Sequence, residues 1–160
     1  MTSLFAALCC TATLVIKVPS PTGGYVNAGD ALVILGSFLL GPYWGCAASG
    51  LGSALSDLIS GYPHYIPGTF IIKALMALVS GIILRRIRMK KLVSAVIAGA
   101  AAEVIMISGY LLYSGIILGY GAAALASVPG NCVQGVFGLA AGSALYLAIS
   151  DIPGISSLFD

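Results

Sequence analysis

The sequence predicts an all-α integral membrane protein, a bundle of six transmembrane helices forming one domain over residues 1–160. Three observations carry that expectation. Hydrophobic residues make up 59% of the chain and charged residues only 8%, against roughly 25% charged in an ordinary soluble domain. Mean hydropathy is +1.07. Apolar runs bounded by turn residues follow one another along the chain with no long hydrophilic segment between them. A soluble chain could not cover its surface with so few charges, because apolar area left in water is costly. That excludes a soluble enzyme, a nucleic-acid binder and a disordered chain, and the net charge of +2 is too small to imply a polyanionic partner.

A spanning helix needs about 20 residues, so six use roughly 120 and leave only short loops. The runs are residues 4–18, 31–40, 43–59, 69–84, 92–113 and 122–149. The first lacks both a basic leader and a small-residue cleavage site, and reads as a helix rather than a signal peptide. Its Cys9 and Cys10, with Cys46 and Cys132, show no C-x-x-C spacing, so buried thiols are expected rather than a metal site or redox pair. The second run stops at Gly41-Pro42, where proline disfavours helix at its predecessor. Two short helices joined by a tight turn are expected there; one long broken helix is the alternative and would change the topology. Between the fourth and fifth runs lie Arg85, Arg86, Arg88, Lys90 and Lys91, five of the seven cations. The positive-inside rule puts that loop in the cytoplasm, with both termini inside and segments 19–30, 60–68 and 114–121 outside.

Ionisable groups inside a bilayer normally pair or line a cavity. Asp30, Asp57 and Lys73 fall at similar depth near the outer surface, where a structural salt bridge of Lys73 with Asp57 or Asp30 is favoured over ligand contact. Glu103 is mid-helix, on a stripe with Ala95 and Gly99 that continues to Tyr110. Small residues let a neighbouring helix approach, so Glu103 points inward, either to a ligand or to cap a neighbouring helix. Asn131 and Gln134 open the last helix facing one way, and Gly138 and Gly142 continue it as a G-x-x-x-G packing face. Tyr25, Tyr62, Tyr65, Tyr110, Tyr113 and Tyr120 gather toward the outer side. An aromatic belt explains part of that bias, but Tyr25 and Tyr62 belong to loops, where a belt is a poorer explanation. His64, the only histidine, is expected to face water. A cavity of tyrosines, amides and a carboxylate suits a small, flat, hydrogen-bonding heterocycle.

No P-loop occurs, so the chain cannot hydrolyse ATP through one. Gly50-Leu51-Gly52 lacks the rest of a dinucleotide fingerprint. Ala47-Ala48-Ser49-Gly50 and Asn27-Ala28-Gly29-Asp30 are incomplete versions of intramembrane serine and aspartyl protease motifs. An intramembrane enzyme built on Ser49 or Asp30 is therefore a remote reading; neither catalysis nor a cofactor is expected.

Taken together, several strings are familiar: residues 21–30 (PTGGYVNAGD) leading into 40–45 (LGPYWG), then 52–63 (GSALSDLISGYP), 71–76 (IIKALM), Gly109-Tyr110 and 129–135 (PGNCVQG). Over nearly the whole chain they resemble the substrate-binding S component of energy-coupling factor (ECF) vitamin transporters, in the riboflavin-type branch. The resemblance implies a multi-pass protein of the bacterial cell membrane that captures a vitamin at its outer side. It also implies as partners a membrane scaffold subunit, met through small residues on the first helix, and two cytoplasmic ATPases. Here those small residues are Ala6 with Cys10, or Ala7 with Thr11. Segment 19–30 resembles the family's gate over the pocket.

The Gly109-Tyr110 and 130–134 stretches look closer to carriers of pyridoxine or hydroxymethylpyrimidine than to those of riboflavin, which stays the alternative. Few cations face the outer side, which argues against a phosphorylated substrate. The expected substrate-binding residues are Tyr25, Asn27, Tyr62, Glu103, Tyr110, Asn131 and Gln134, with Asp57 and Lys73 as a structural ion pair. A stand-alone secondary carrier or channel is a rival class, though no internal duplication is visible.

Overall fold

The computed structural model describes residues 1–152; residues 153–160 of the expected domain lie outside the described residues. Six α-helices appear: α1 (Thr2–Val15), α2 (Asp30–Leu40), α3 (Pro42–Ile59), α4 (Ile66–Arg86), α5 (Lys91–Leu112) and α6 (Val128–Ile149). Segments Ile66–Arg86, Lys91–Ile117 and Gly121–Ile149 are long and apolar enough to cross a membrane. The all-α membrane bundle read from the sequence is the observed class.

Local chemistry sets the helix ends. The chain breaks between α2 and α3 at Gly41, whose φ of 82° and ψ of 177° suit only glycine. Pro42 then opens α3, where its missing N–H has no intrahelical partner to lose. The two-helix reading of this stretch is the observed one. Arg85 and Arg86 occupy the last turn of α4, where cations oppose the helix dipole favourably. The sixth run was expected from residue 122; instead α5 passes into a π-helical turn at Tyr113–Ile117, a 3-10 segment follows at Gly121–Ser127, and α6 begins at Val128.

Segment 19–30 was expected as a plain loop. Together with residues 17–18, expected at the end of the first helical run, it forms a short antiparallel hairpin, β1 (Lys17–Pro19) on β2 (Tyr25–Asn27), with Val18 opposite Val26. Three-residue strands are too short for a period-2 pattern to register, but Pro21-Thr22-Gly23-Gly24 between them is a turn signal, and Gly23 takes a φ of 69°.

The short α2 is the hub. Nine of its residues, from Asp30 to Leu39, are buried, and it packs against α3, α4 and α6. Close approach depends on glycine: a Cβ on Gly142 would lie 3.0 Å from the Ala31 carbonyl, and one on Gly45 only 2.6 Å from the Ser37 Cα. The α5 face of Ala95, Ala98, Ala102 and Met106 completes the main core with Ile34, Phe38, Ile72 and Met76. Outward-facing Leu51, Val104, Leu112, Val133 and Val136 are exposed, as lipid-facing positions should be. At 1.5 Å per residue, α2 covers only about half of a ~30 Å hydrocarbon core. The hairpin covers the space at its N-terminal end.

Candidate ligand-binding cavity

That space is a partly open cavity of about 30 Å³, enough for a water molecule or two. Its walls come from the hairpin and from five of the helices. The hairpin contributes Tyr25 and Asn27, α1 contributes Thr13, and α3 contributes Ser53 and Asp57. Helix α4 adds Thr69 and Lys73, α5 adds Tyr110, and α6 adds Asn131 and Gln134; Tyr65, Ser114 and Ser127 close the side. Two wider grooves, between α5 and α6 and between α4 and α5, are lined almost wholly by apolar atoms. They lack the few placed polar groups that orient a heterocycle.

A continuous polar network runs from roof to floor. The Asn27 backbone N–H donates to Gln134 Oε1 at 2.7 Å, and Gln134 Nε2 donates to Asp30 Oδ2 at 2.6 Å. Asp30 in turn pairs with Lys73. The Asn27 side chain accepts from the Gly29 N–H at 2.8 Å, which fixes the turn into α2. On the opposite wall the Tyr25 hydroxyl donates to Asp57 Oδ1 at 2.6 Å, and Tyr110 donates to Thr69 Oγ1 at 3.0 Å. The Tyr65 hydroxyl donates to the Thr22 carbonyl at 3.0 Å, tying the roof to the start of α4. Lys17 Nζ donates to Ser60 Oγ and lies 5.2 Å from the Tyr25 ring centroid. The Tyr25 phenol is held above its ordinary pKa, first by burial and then by the hydrogen bond it donates to Asp57. It stays a neutral donor.

Of the seven expected binding residues, Tyr25, Asn27, Tyr110, Asn131 and Gln134 border the cavity. Two do not. Tyr62 stands behind Tyr25, the ring centroids 5.1 Å apart, and supports it. Glu103 is inward as expected, but it packs on α6 where Gly135 and Gly138 leave room, beside Asp30, and does not reach the cavity.

The ion pair also needs correcting: Lys73 pairs with Asp30, not with Asp57. The first turn of the central helix carries Asp30 directly against α4, with both residues almost wholly buried, whereas one oxygen of Asp57 is taken by Tyr25. His64 is exposed; its carbonyl accepts from the Tyr113 hydroxyl at 2.7 Å.

The sequence reading missed Thr13, Ser53, Thr69, Ser114 and Ser127. A signal existed in the hydroxyl residues at the turns nearest the outer connections: the end of α1, the end of α3 and the start of α4.

Chemically, the walls offer hydrogen bonds and little else. Ser49 neighbours the Cys9 thiol, and Asp30 is engaged by Lys73 and Gln134. Among the described residues no group of three His, Cys, Asp or Glu is placed to hold a metal ion.

Comparison with known proteins agrees with this architecture. A protein of Pyrococcus woesei, described as an uncharacterized protein in a gap 3′ region, is 32% identical over 136 residues, covering 83% of this chain and 88% of its own. Residues 1–151 match the family described as ECF-type riboflavin transporter, S component. With that match running from the first residue to the end of α6, the chain belongs to the family of ECF-type transporter S components, membrane proteins of vitamin uptake rather than enzymes.

Proposed function

We propose that this chain captures a small heteroaromatic vitamin or precursor of the pyridoxine or hydroxymethylpyrimidine type in the cavity beneath the hairpin. The observation that carries the reading is a set of amides, phenols and hydroxyls converging on one chamber in an otherwise apolar bundle. Such walls donate and accept in equal measure, which matches a ring bearing hydroxymethyl groups. Lys73 is the only cation on the walls and its charge is answered by Asp30, which disfavours a phosphorylated ligand. The chamber must widen to admit any vitamin, and one ring asks less displacement than three. Riboflavin is the second reading, favoured by the description of the family to which the chain belongs.

Import would draw on a membrane scaffold subunit and two cytoplasmic ATPases, since the chain carries no nucleotide motif of its own. For the scaffold contact the Ala7–Thr11 register fits better than Ala6–Cys10. Ala7 and Thr11 are exposed, whereas Cys10 is buried and the Ala6 carbonyl lies against Gly52. The basic cluster supports an orientation with the hairpin outside and both termini in the cytoplasm.

Calorimetric titration of the purified chain against a vitamin panel tests the capture role. A pyridoxine-type ligand should bind saturably, with Asn131→Ala weakening it. Among the described residues the Asn131 amide makes no side-chain hydrogen bond, which leaves it for a ligand. Absence of saturable binding below about 1 mM (~4 kcal/mol) for every vitamin overturns the reading. Uptake into liposomes by this chain alone would instead favour a self-sufficient carrier.

A further inference from the structure

We infer that Ser53 and Asp57 form a subsite that reads a hydrogen-bond donor on the captured ligand, an N–H or ammonium group rather than a carboxylate or phosphate. The inference rests on the cavity being the capture site, and adds which ligand chemistry its α3 wall selects.

Most of the polar groups on the walls are already engaged. Thr13 donates to the Cys9 carbonyl, Ser127 to the Ala124 carbonyl, Tyr110 to Thr69, and Lys73 to Asp30, while Gln134 bonds through both ends of its amide. Ser53 Oγ and Asp57 Oδ2 differ. Both residues border the cavity, both are more than nine-tenths buried, at 1% and 4% exposed, and neither atom meets a hydrogen-bond partner among the described residues. Thr69 lies next to Asp57, yet its hydroxyl leaves Oδ2 unmatched. Four residues apart on one helix, the two side chains share a face with Cβ atoms ~6 Å apart. Across that span a single donor-bearing substituent can meet both.

Charge gives the subsite its direction. A carboxylate oxygen only accepts, and among the described residues Asp57 makes no salt bridge: Lys73 is joined to Asp30, and Lys17 is held by Ser60 and the Tyr25 ring. The hydrogen bond from Tyr25 engages Asp57 through Oδ1 and leaves Oδ2 without a partner among the described residues. A ligand amine or ring N–H there completes a charge-assisted hydrogen bond. A ligand carboxylate or phosphate in the same place meets like charge and an unmatched acceptor.

The test uses the full chain in detergent, titrated with pyridoxamine and 4-amino-5-hydroxymethyl-2-methylpyrimidine as donor-bearing probes and 4-pyridoxic acid as the anionic one. The donor-bearing probes should bind the wild type at least tenfold more tightly than the acid. Asp57→Asn and Ser53→Ala should each weaken them by about tenfold and narrow their preference over the acid, whereas Asn131→Ala should weaken all three alike. Where riboflavin is the ligand bound, the comparison becomes riboflavin against its N3-methyl derivative, which lacks the ring donor, with the same two variants. Ser53→Ala removes one buried hydroxyl and leaves the Tyr25–Asp57 bond in place, so it carries the test even if Asp57→Asn fails to fold. Binding with an unchanged preference in Ser53→Ala overturns the subsite and leaves the capture role standing. No binding of any probe to the wild type overturns both.

Discussion

Among the described residues, Lys73→Met removes the only cation from the cavity wall and leaves Asp30 wholly buried with Gln134 as its remaining donor. The size of the loss follows from that geometry. Deleting one partner of a buried pair costs about 3–5 kcal/mol, because the surviving charge has no counter-ion and no water. The hydrogen bond from Gln134 is too small to compensate, since a bond to a charged group contributes about 1.5–3 kcal/mol and is already present in the wild type. For a chain of this length each kcal/mol shifts Tm by about 2–4 °C, so Lys73→Met should melt roughly 6–20 °C lower. Asp30→Asn should fall by a similar amount. The double variant should recover at least 1 kcal/mol relative to either single change, because no lone charge then stays behind.

The protein supplies its own reporter. Cys9 is fully buried against α3, and a thiol-reactive dye reaches it only when the bundle opens. Single variants that melt within about 2 °C of wild type, or a double variant as unstable as the two losses added together, would refute the pairing.

Four further outcomes follow from the structure. Tyr25→Phe deletes the bond to Asp57 and should raise hydrogen exchange in residues 17–27 by about 10–100-fold, the equivalent of ~1.5–3 kcal/mol; unchanged exchange would mean the hairpin is held elsewhere. Because the Tyr25 phenol is raised above its ordinary pKa of 10.0, its latch is present in full below that value and fades only as pH climbs through the raised one. Hairpin protection, corrected for intrinsic rates, should therefore stay flat from about pH 6 to 9, and a decline near pH 8 contradicts the assignment. Gly138→Ala puts a Cβ 2.6 Å from Asp30 Cβ and onto the Glu103 carboxylate, so forcing α6 off α2 should cost about 1–3 kcal/mol by thermal melting; a neutral result would show that α6 can shift freely. His64 and Met89 are exposed at opposite ends of the bundle, so with the exposed Cys132 replaced by serine a membrane-impermeant maleimide should label His64→Cys in intact cells and Met89→Cys only after permeabilisation, and the reverse pattern inverts the topology.

What the sequence could convey depended on whether the physics was local. The Gly41-Pro42 break and the inward stripe through Ala95, Gly99 and Glu103 are local statements about backbone freedom and helical spacing, and each describes the structure; the basic cluster falls at the junction of α4 and α5. Partner choice is not local. Asp30 and Asp57 are both acidic residues near helix ends, and nothing in their neighbours says which one meets Lys73. Glu103 reads as a cavity residue because an inward carboxylate usually lines one; only the register of α5 on α6 turns it onto Gly135 and Gly138 instead. The wall hydroxyls Thr13, Ser53 and Thr69 are individually indistinguishable from helix-packing residues. Their common depth emerges once the helices are paired, and the hairpin was hidden by the shortness of its strands.

The most direct measurement of the central claim is an experimental structure with a bound vitamin, at a resolution that shows a single ring. The account predicts the ring between Tyr25 on the hairpin and Asn131 and Gln134 on α6, with Lys73 still joined to Asp30. A ligand found in the apolar groove between α5 and α6, or at the end of the bundle carrying Arg85 to Lys91, would contradict it.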